Sequence, residues 1–169
     1  MVKCLPDKHF MAIAKRKALS LDFIAGLVAG EGTFYWTKAP EGRVPAFALR
    51  MHVRDKILVI AVRDSLGLQE TVYEYVHNKR HYTFLLVRNA GSLKNIIIPA
   101  IYPRLAGYKR QQFYEWFLEF FKPATAERFQ FFPNAFRKQF PELGSESQLR
   151  GVIKTLETDM LSVPVGADV

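Results

Sequence analysis

Glu31 stands between Gly30 and Gly32 at the close of the stretch Ile24-Ala25-Gly26-Leu27-Val28-Ala29-Gly30-Glu31-Gly32. A carboxylate at the end of a helix meets the partly negative pole of the helix dipole, so something cationic is expected to offset it. Gly26 and Gly30 are four residues apart, as are Ala25 and Ala29, which lines one helix face with small residues and lets a second backbone come close. Each glycine costs a helix about 1 kcal/mol relative to alanine, so the compensating gain should come from helix–helix packing. Two identical helices crossing would supply it. Gly-x-Gly alone reads more simply as the end of a core helix with a surface glutamate, but the nine-residue string is far rarer.

The elements that must position this acid can be read from periodicity. Ser20 is an N-cap for a helix through Ala29, and Gly30 and Gly32 are available to stop it. Thr33 to Thr37 is rich in β-formers and Ala39-Pro40-Glu41-Gly42 supplies a turn. From Phe47 the pattern alternates, with Phe47, Leu49, Met51 and Val53 on one face and Ala48, Arg50, His52 and Arg54 on the other. Asp55 to Leu66 has the spacing of an amphipathic helix closed by Gly67. Thr71 to Val76 and His81 to Val87 form a second hairpin across Asn78-Lys79-Arg80, completing an αββαββ order. Apolar runs at Ser92 to Ile101 and Lys109 to Phe121 follow, then a Phe- and Pro-rich connector over 122–144 and a last amphipathic helix from Ser145 to Leu161. No internal repeat is present.

The chain has 169 residues, 49% of them hydrophobic, which suits one substantial core and one domain. Residues 1–19 form a basic arm with Lys3, Lys8, Lys15, Arg16 and Lys17, residues 20–161 the folded domain, and residues 162–169 a frayed tail. A formal charge of +8 and a pI near 9.7 nominate an acidic polymer as partner. The single Cys4 excludes an internal disulfide and any multi-cysteine zinc site and suits a reducing compartment. No run approaches the roughly 20 apolar residues that span a bilayer, and the lysines before Ser20 do not suit a signal peptide, so a soluble, unsecreted protein is expected.

The string Ile24–Gly32 resembles the signature helix of LAGLIDADG endonucleases, matching it at Ala25, Gly26, Leu27, Glu31 and Gly32. Ile24 and Val28 are conservative replacements, and Ala29 stands where the sixth position carries aspartate. Tyr102-Pro103-Arg104-Leu105-Ala106-Gly107-Tyr108-Lys109-Arg110 resembles the family's proline, leucine and glycine before a basic cluster, and Ser145 to Leu156 its closing helix. The resemblance spans about residues 20 to 160.

It implies an α+β fold of αββαββα order, with a four-stranded antiparallel saddle-shaped sheet per protomer backed by helices. One motif per chain implies a C2 homodimer whose signature helices meet through Ala25, Gly26, Ala29 and Gly30. The implied activity is that of an intron-associated homing endonuclease hydrolysing one phosphodiester per strand of double-stranded DNA. Two Glu31 carboxylates at one axis would repel without divalent metal, so Mg²⁺ is implied, held by Glu31, the carbonyl of Gly30 and phosphate oxygens, with Ca²⁺ or Mn²⁺ able to substitute in a crystal. By resemblance Asp55 orders the attacking water, although its position alone reads as the N-cap of the following helix. The family's active-site lysine aligns with Tyr108, and Lys109 beside it is the assignment; without the resemblance, Lys109 and Arg110 are a helix N-terminal basic patch.

Recognition is expected on the exposed sheet face, through Thr33, Tyr35, Thr37, Lys38, Arg43, Arg50, His52 and Arg54 of the first hairpin. Tyr82, Phe84 and Leu86 read as the core face of the second hairpin, leaving His81 and Thr83 outward with Tyr73, Tyr75 and His77, and Lys79 and Arg80 suited to phosphates. Strands of this length cover about ten base pairs per half-site, hence a pseudo-palindrome of about twenty. The implied setting is intracellular, either a prokaryotic cytoplasm, archaeal included, or an organelle. Two rival readings are an RNA maturase or non-cleaving DNA-binding derivative of the same fold, and a helix-mediated homodimeric scaffold, which leaves Arg50, His52 and Arg54 unexplained.

Overall fold

The computed structural model describes residues 18–40, 42–122 and 138–161. Most of the basic arm and of the aromatic connector, and the whole of the C-terminal tail, lie outside the described residues. Helix α1 is Leu21–Glu31, opened by Ser20, whose Oγ accepts the Phe23 N–H at 3.2 Å. Strands β1 (Gly32–Ala39) and β2 (Gly42–His52) follow, then helix α2 (Lys56–Ser65), strands β3 (Val72–His77) and β4 (Arg80–Val87). The four strands form one antiparallel sheet in the order β1-β2-β4-β3, so the expected α+β fold holds.

Tight turns fix both registers. Gly42 closes the first hairpin at φ 115°, a conformation that L side chains rarely adopt. In the second hairpin Asn78 (φ 49°) and Lys79 (φ 61°) are both left-handed, the two-residue loop whose twist matches that of the strands.

Helix α3 runs from Ala90–Ser92 through a π-helical turn at Leu93–Ile97 to Ile98–Ile101. Pro99 has no N–H to donate and crowds the carbonyl four residues back, and the wider turn before it absorbs the conflict. A 3-10 turn at Tyr102–Arg104 leads to α4 (Gly107–Leu118), and α5 (Glu146–Leu161) closes the domain. Among the described residues no helix is long and apolar enough to cross a membrane.

All these helices sit on one face of the sheet. Phe47, Leu49, Leu85 and Val87 of the sheet are fully buried against Ile24, Val28, Val59, Val62, Leu93, Ile97, Ile98 and Phe113. Helix α4 is tied to β1 by two reciprocal indole bonds, Trp36 Nε1 to the Trp116 carbonyl and Trp116 Nε1 to the Tyr35 carbonyl, each 3.0 Å. The ring of Phe34 lies between them, 5.1 Å from both Phe113 and Trp116. A buried polar cluster anchors the segment before α5: the Tyr102 hydroxyl contacts Glu142 and lies 3.1 Å from that of Tyr114, which accepts from Arg110 Nε at 3.0 Å. Burial, then the hydrogen bond to Glu142, pushes the Tyr102 phenol well above its ordinary pKa.

The register corrects several facing expectations. Leu49 pairs with Leu85 and Met51 with Thr83, so Thr83, fully buried, and His81, ion-paired with Glu74 at 3.2 Å, lie on the helix side. Tyr82, Phe84 and Leu86 face the other way. Both sets in β4 are apolar enough to pass for a core face, and a one-residue shift exchanges them. Lys38 and Arg43 are cross-strand partners on the helix side as well, where Arg43 pairs with Glu119 at 2.8 Å and lies over Trp36. Val53 and Arg54 belong to a 3-10 turn, Val53–Asp55, because β2 stops at His52. Ala25, expected at a helix–helix interface, is 2% exposed inside the protomer's own core, because residues 24, 25 and 28 form the inward stripe of α1.

Helix α1 passes into β1 without a loop. A Cβ on Gly32 would lie 2.6 Å from Val28 Cγ1 and 2.7 Å from the Val28 carbonyl oxygen, while the Gly32 N–H donates to that same oxygen. Gly32→Ala is therefore expected to destabilise the domain by about 1–3 kcal/mol, the usual range for overpacking, as a lowered denaturant midpoint at unchanged m-value.

Candidate functional site

Glu31 is the last residue of α1 and is exposed, with no cation in the final helical turn to offset the dipole. The compensating charges come from elsewhere in the fold. Lys109, in the first turn of α4, donates from Nζ to the Gly32 carbonyl at 2.9 Å, which brings an ammonium to the peptide next to Glu31. Gly32 pairs with Leu49, so Arg50 is the β2 residue alongside Glu31. The Arg50 guanidinium is stabilised in its charged form chiefly by Tyr75, against the opposing cost of burial, with weaker contributions from Tyr82 and, last, Glu31. Helix, strand and a second helix thus meet at Glu31, with Lys109 bonded to the adjoining peptide and Arg50 on the neighbouring strand.

Asp55 does not join this group. It follows β2 at the N-cap position of α2, makes no side-chain capping bond there, and has Arg54 Nε at 3.5 Å as its ion-pair partner. Arg50 follows Leu49, the partner of Gly32, and so stands alongside Glu31; Asp55 is five residues further on, past the end of the strand.

On α1 the outward stripe is open. A Cβ on Gly26 or Gly30 would meet nothing within 4 Å, and Ala29 is exposed beside them. Among the described residues nothing requires glycine at 26 or 30. Phe23, 49% exposed, extends the stripe by one turn. Its position three residues before Gly26 and seven before Gly30 was the available sequence signal.

The sheet face away from the helices carries Thr33, Tyr35 and Thr37 of β1, Arg50 and His52 of β2, Tyr73, Tyr75 and His77 of β3, and Arg80 of β4. Lys79 stands at the tip of the second hairpin. Arg54 is at the strand end with 79% of its side chain exposed. Tyr82, Phe84 and Leu86 complete the face, and the sequence reading had placed them in the core.

Among the described residues no group of three or more His, Cys, Asp or Glu could hold a metal ion. The donors near Glu31 are hard oxygens: its carboxylate and the carbonyls of the last helical turn, which a helix end leaves without intrahelical partners. Oxygen donors of this kind are the ones that hard divalent cations such as Mg²⁺ accept.

No family model and no curated protein matches the chain. Solved structures do. I-GzeII, a LAGLIDADG homing endonuclease crystallised with its DNA target, superposes with a TM-score of 0.55 at 17% identity over 69% of this chain and 43% of its own. I-LtrWI, a LAGLIDADG homing endonuclease bound to target DNA, gives 0.51 at 21% identity over 72% and 48%. The homing endonuclease I-TnaI gives 0.50 at 19% identity over 83% of this chain and 99% of its own. The chain thus has the fold of LAGLIDADG homing endonucleases, and it spans about half the length of I-GzeII and I-LtrWI.

Lys109→Met removes a charge-assisted bond to the Gly32 carbonyl, and a loss of about 1–2 kcal/mol is expected in equilibrium unfolding. An unchanged midpoint would mean that the ammonium contributes nothing to the junction.

Proposed function

We propose that this chain is one half of a site-specific DNA endonuclease that works as a C2 homodimer and cuts both strands of its target. The observation that carries the reading is that Lys109 is bonded to the peptide next to Glu31, at the edge of an open, cation-bearing sheet face. A carboxylate that only decorated a helix end would not need an ammonium brought beside it from a distant part of the chain.

The dimer follows from the outward stripe of α1. Crossing two copies through Phe23, Gly26, Ala29 and Gly30 buries the face left uncovered and lets the backbones approach, and an isologous contact sets the two Glu31 carboxylates at one axis. A chain that matches nearly all of I-TnaI, but half of the longer enzymes, is of the size expected for one half of such an assembly.

Glu31 and the Gly30 carbonyl would hold Mg²⁺ together with phosphate oxygens, and the ion would supply water activation and charge stabilisation at the scissile phosphate. The chain's own part is electrostatic and positional. Lys109 favours negative charge building up on a phosphate beside Glu31, and it is held in place before the substrate arrives. Asp55, just past the end of β2, would order the attacking water from outside the Glu31 group. The open face would dock in the major groove, with Arg54, Lys79 and Arg80 suited to phosphates.

The test uses the full-length protein and a duplex selected by it from a random library, cloned in a plasmid. Wild type with Mg²⁺ should linearise the plasmid, EDTA should stop it, and Glu31→Gln should bind comparably yet cut roughly a thousandfold more slowly or worse. Equal cutting by both proteins sinks the mechanism, and binding without cutting by wild type assigns a non-cleaving derivative of the fold. For the dimer, Gly26→Leu should sediment as a folded 19.4 kDa monomer under conditions where wild type is dimeric. A variant that remains dimeric places the interface elsewhere.

A further inference from the structure

The open face of the sheet has two chemical characters. Over β1 and β2 it is built from threonines, alanines, Val44 and one tyrosine, with Arg50 and His52 at the far end of β2. Over β4 and β3 it is aromatic: Tyr75 lies opposite Tyr82 and Tyr73 opposite Phe84, with Leu86 beyond. The rings are assembled into one plate. Tyr75 and Tyr82 stack at 5.4 Å, Tyr75 and Phe84 meet edge to face at 5.8 Å, and Tyr73 is 56% exposed. One guanidinium is built into the plate, that of Arg50, with Cζ 5.1 Å from the Tyr82 ring and Nη1 3.5 Å from the Tyr75 hydroxyl.

Apolar rings turned outward on a cationic face need an apolar feature in the ligand. In the major groove the one apolar group among the base edges is the C5-methyl of thymine, and arginine's best partner there is guanine O6 and N7. Stacking of unpaired bases suits this plate poorly, because Arg50 lies over Tyr82 and Tyr82 over Tyr75, which leaves mainly edges and hydroxyls for a ligand.

We propose that the β3–β4 plate is a thymine-methyl subsite, with Arg50 reading a single guanine set among A·T pairs in each half-site. The proposal rests on the DNA-cleaving reading above and specifies which sequences that site takes. Because the rings and the guanidinium already support one another, little ordering is left to the binding step.

Deoxyuridine tests this directly, since it removes the methyl and leaves the pairing edge intact. Wild-type protein should select duplexes with an A·T block interrupted by one G·C pair. Replacing single thymines of that block by deoxyuridine should weaken binding about fourfold at two or more positions, the effect of burying one methyl-sized group. Tyr73→Ser, at an exposed position, should abolish the penalty at one of them, and Arg50→Gln should reduce discrimination at the guanine by tenfold or more. Selected duplexes indifferent to deoxyuridine would overturn the subsite while leaving the cleavage reading intact. Tighter binding to the single strand than to the duplex would overturn it in favour of base stacking, and failure to select any duplex would remove both readings.

Discussion

The passage from helix α1 into strand β1 leaves no space for a side chain at residue 32, and the rest of the site follows from that crowding. With a Cβ there only 2.6 Å from Val28, the chain can turn under its own last helical turn only as glycine. No loop intervenes, so Glu31 has a fixed place relative to the sheet. The Gly32–Leu49 pairing then sets Arg50 beside it, and the Gly32 carbonyl, facing α4, is the acceptor for Lys109.

Seen as energetics, the site is assembled against local preference. A carboxylate at the negative end of a helix, two glycines in that helix with none of the described residues against them, and aromatic rings facing solvent each work against stability. The core opposes these costs through an aromatic interlock of Phe34, Trp36, Phe113, Trp116 and Phe120 and the aliphatic layer under β2 and β4. Violations of local rules gathered on two adjoining surfaces, with an orderly core behind, are the pattern expected of a functional face.

Much of this was legible before any coordinates. The Ser20 cap, the helix ending at Glu31, both hairpins and Gly67 closing α2 are local matters, governed by capping and turn chemistry that neighbouring residues express. The need for cations near Glu31 followed from the dipole, but which cations did not. Arg50 and Lys109 are brought to its neighbourhood by strand pairing and helix docking over 19 and 78 residues of chain, counted from position 31 to positions 50 and 109. β4 failed for a different reason: apolar residues on both faces erase the alternation, and only its pairing with β2 decides between them. The inward turn of Ala25 was not legible, because a four-residue spacing marks a helix face without saying which way it points, and the end of β2, which sets where Asp55 stands, is not carried by resemblance.

The two indole bonds between β1 and α4 have a mechanical side. Trp36 and Trp116 each donate to the backbone of the other's element, so α4 cannot slide along β1 without breaking both bonds together. Lys109 rides on α4 and Glu31 is continuous with β1, so the cation and the acid belong to one rigid body. A ligand that flexes the sheet carries both with it, and the spacing between them is insulated from the fit on the face.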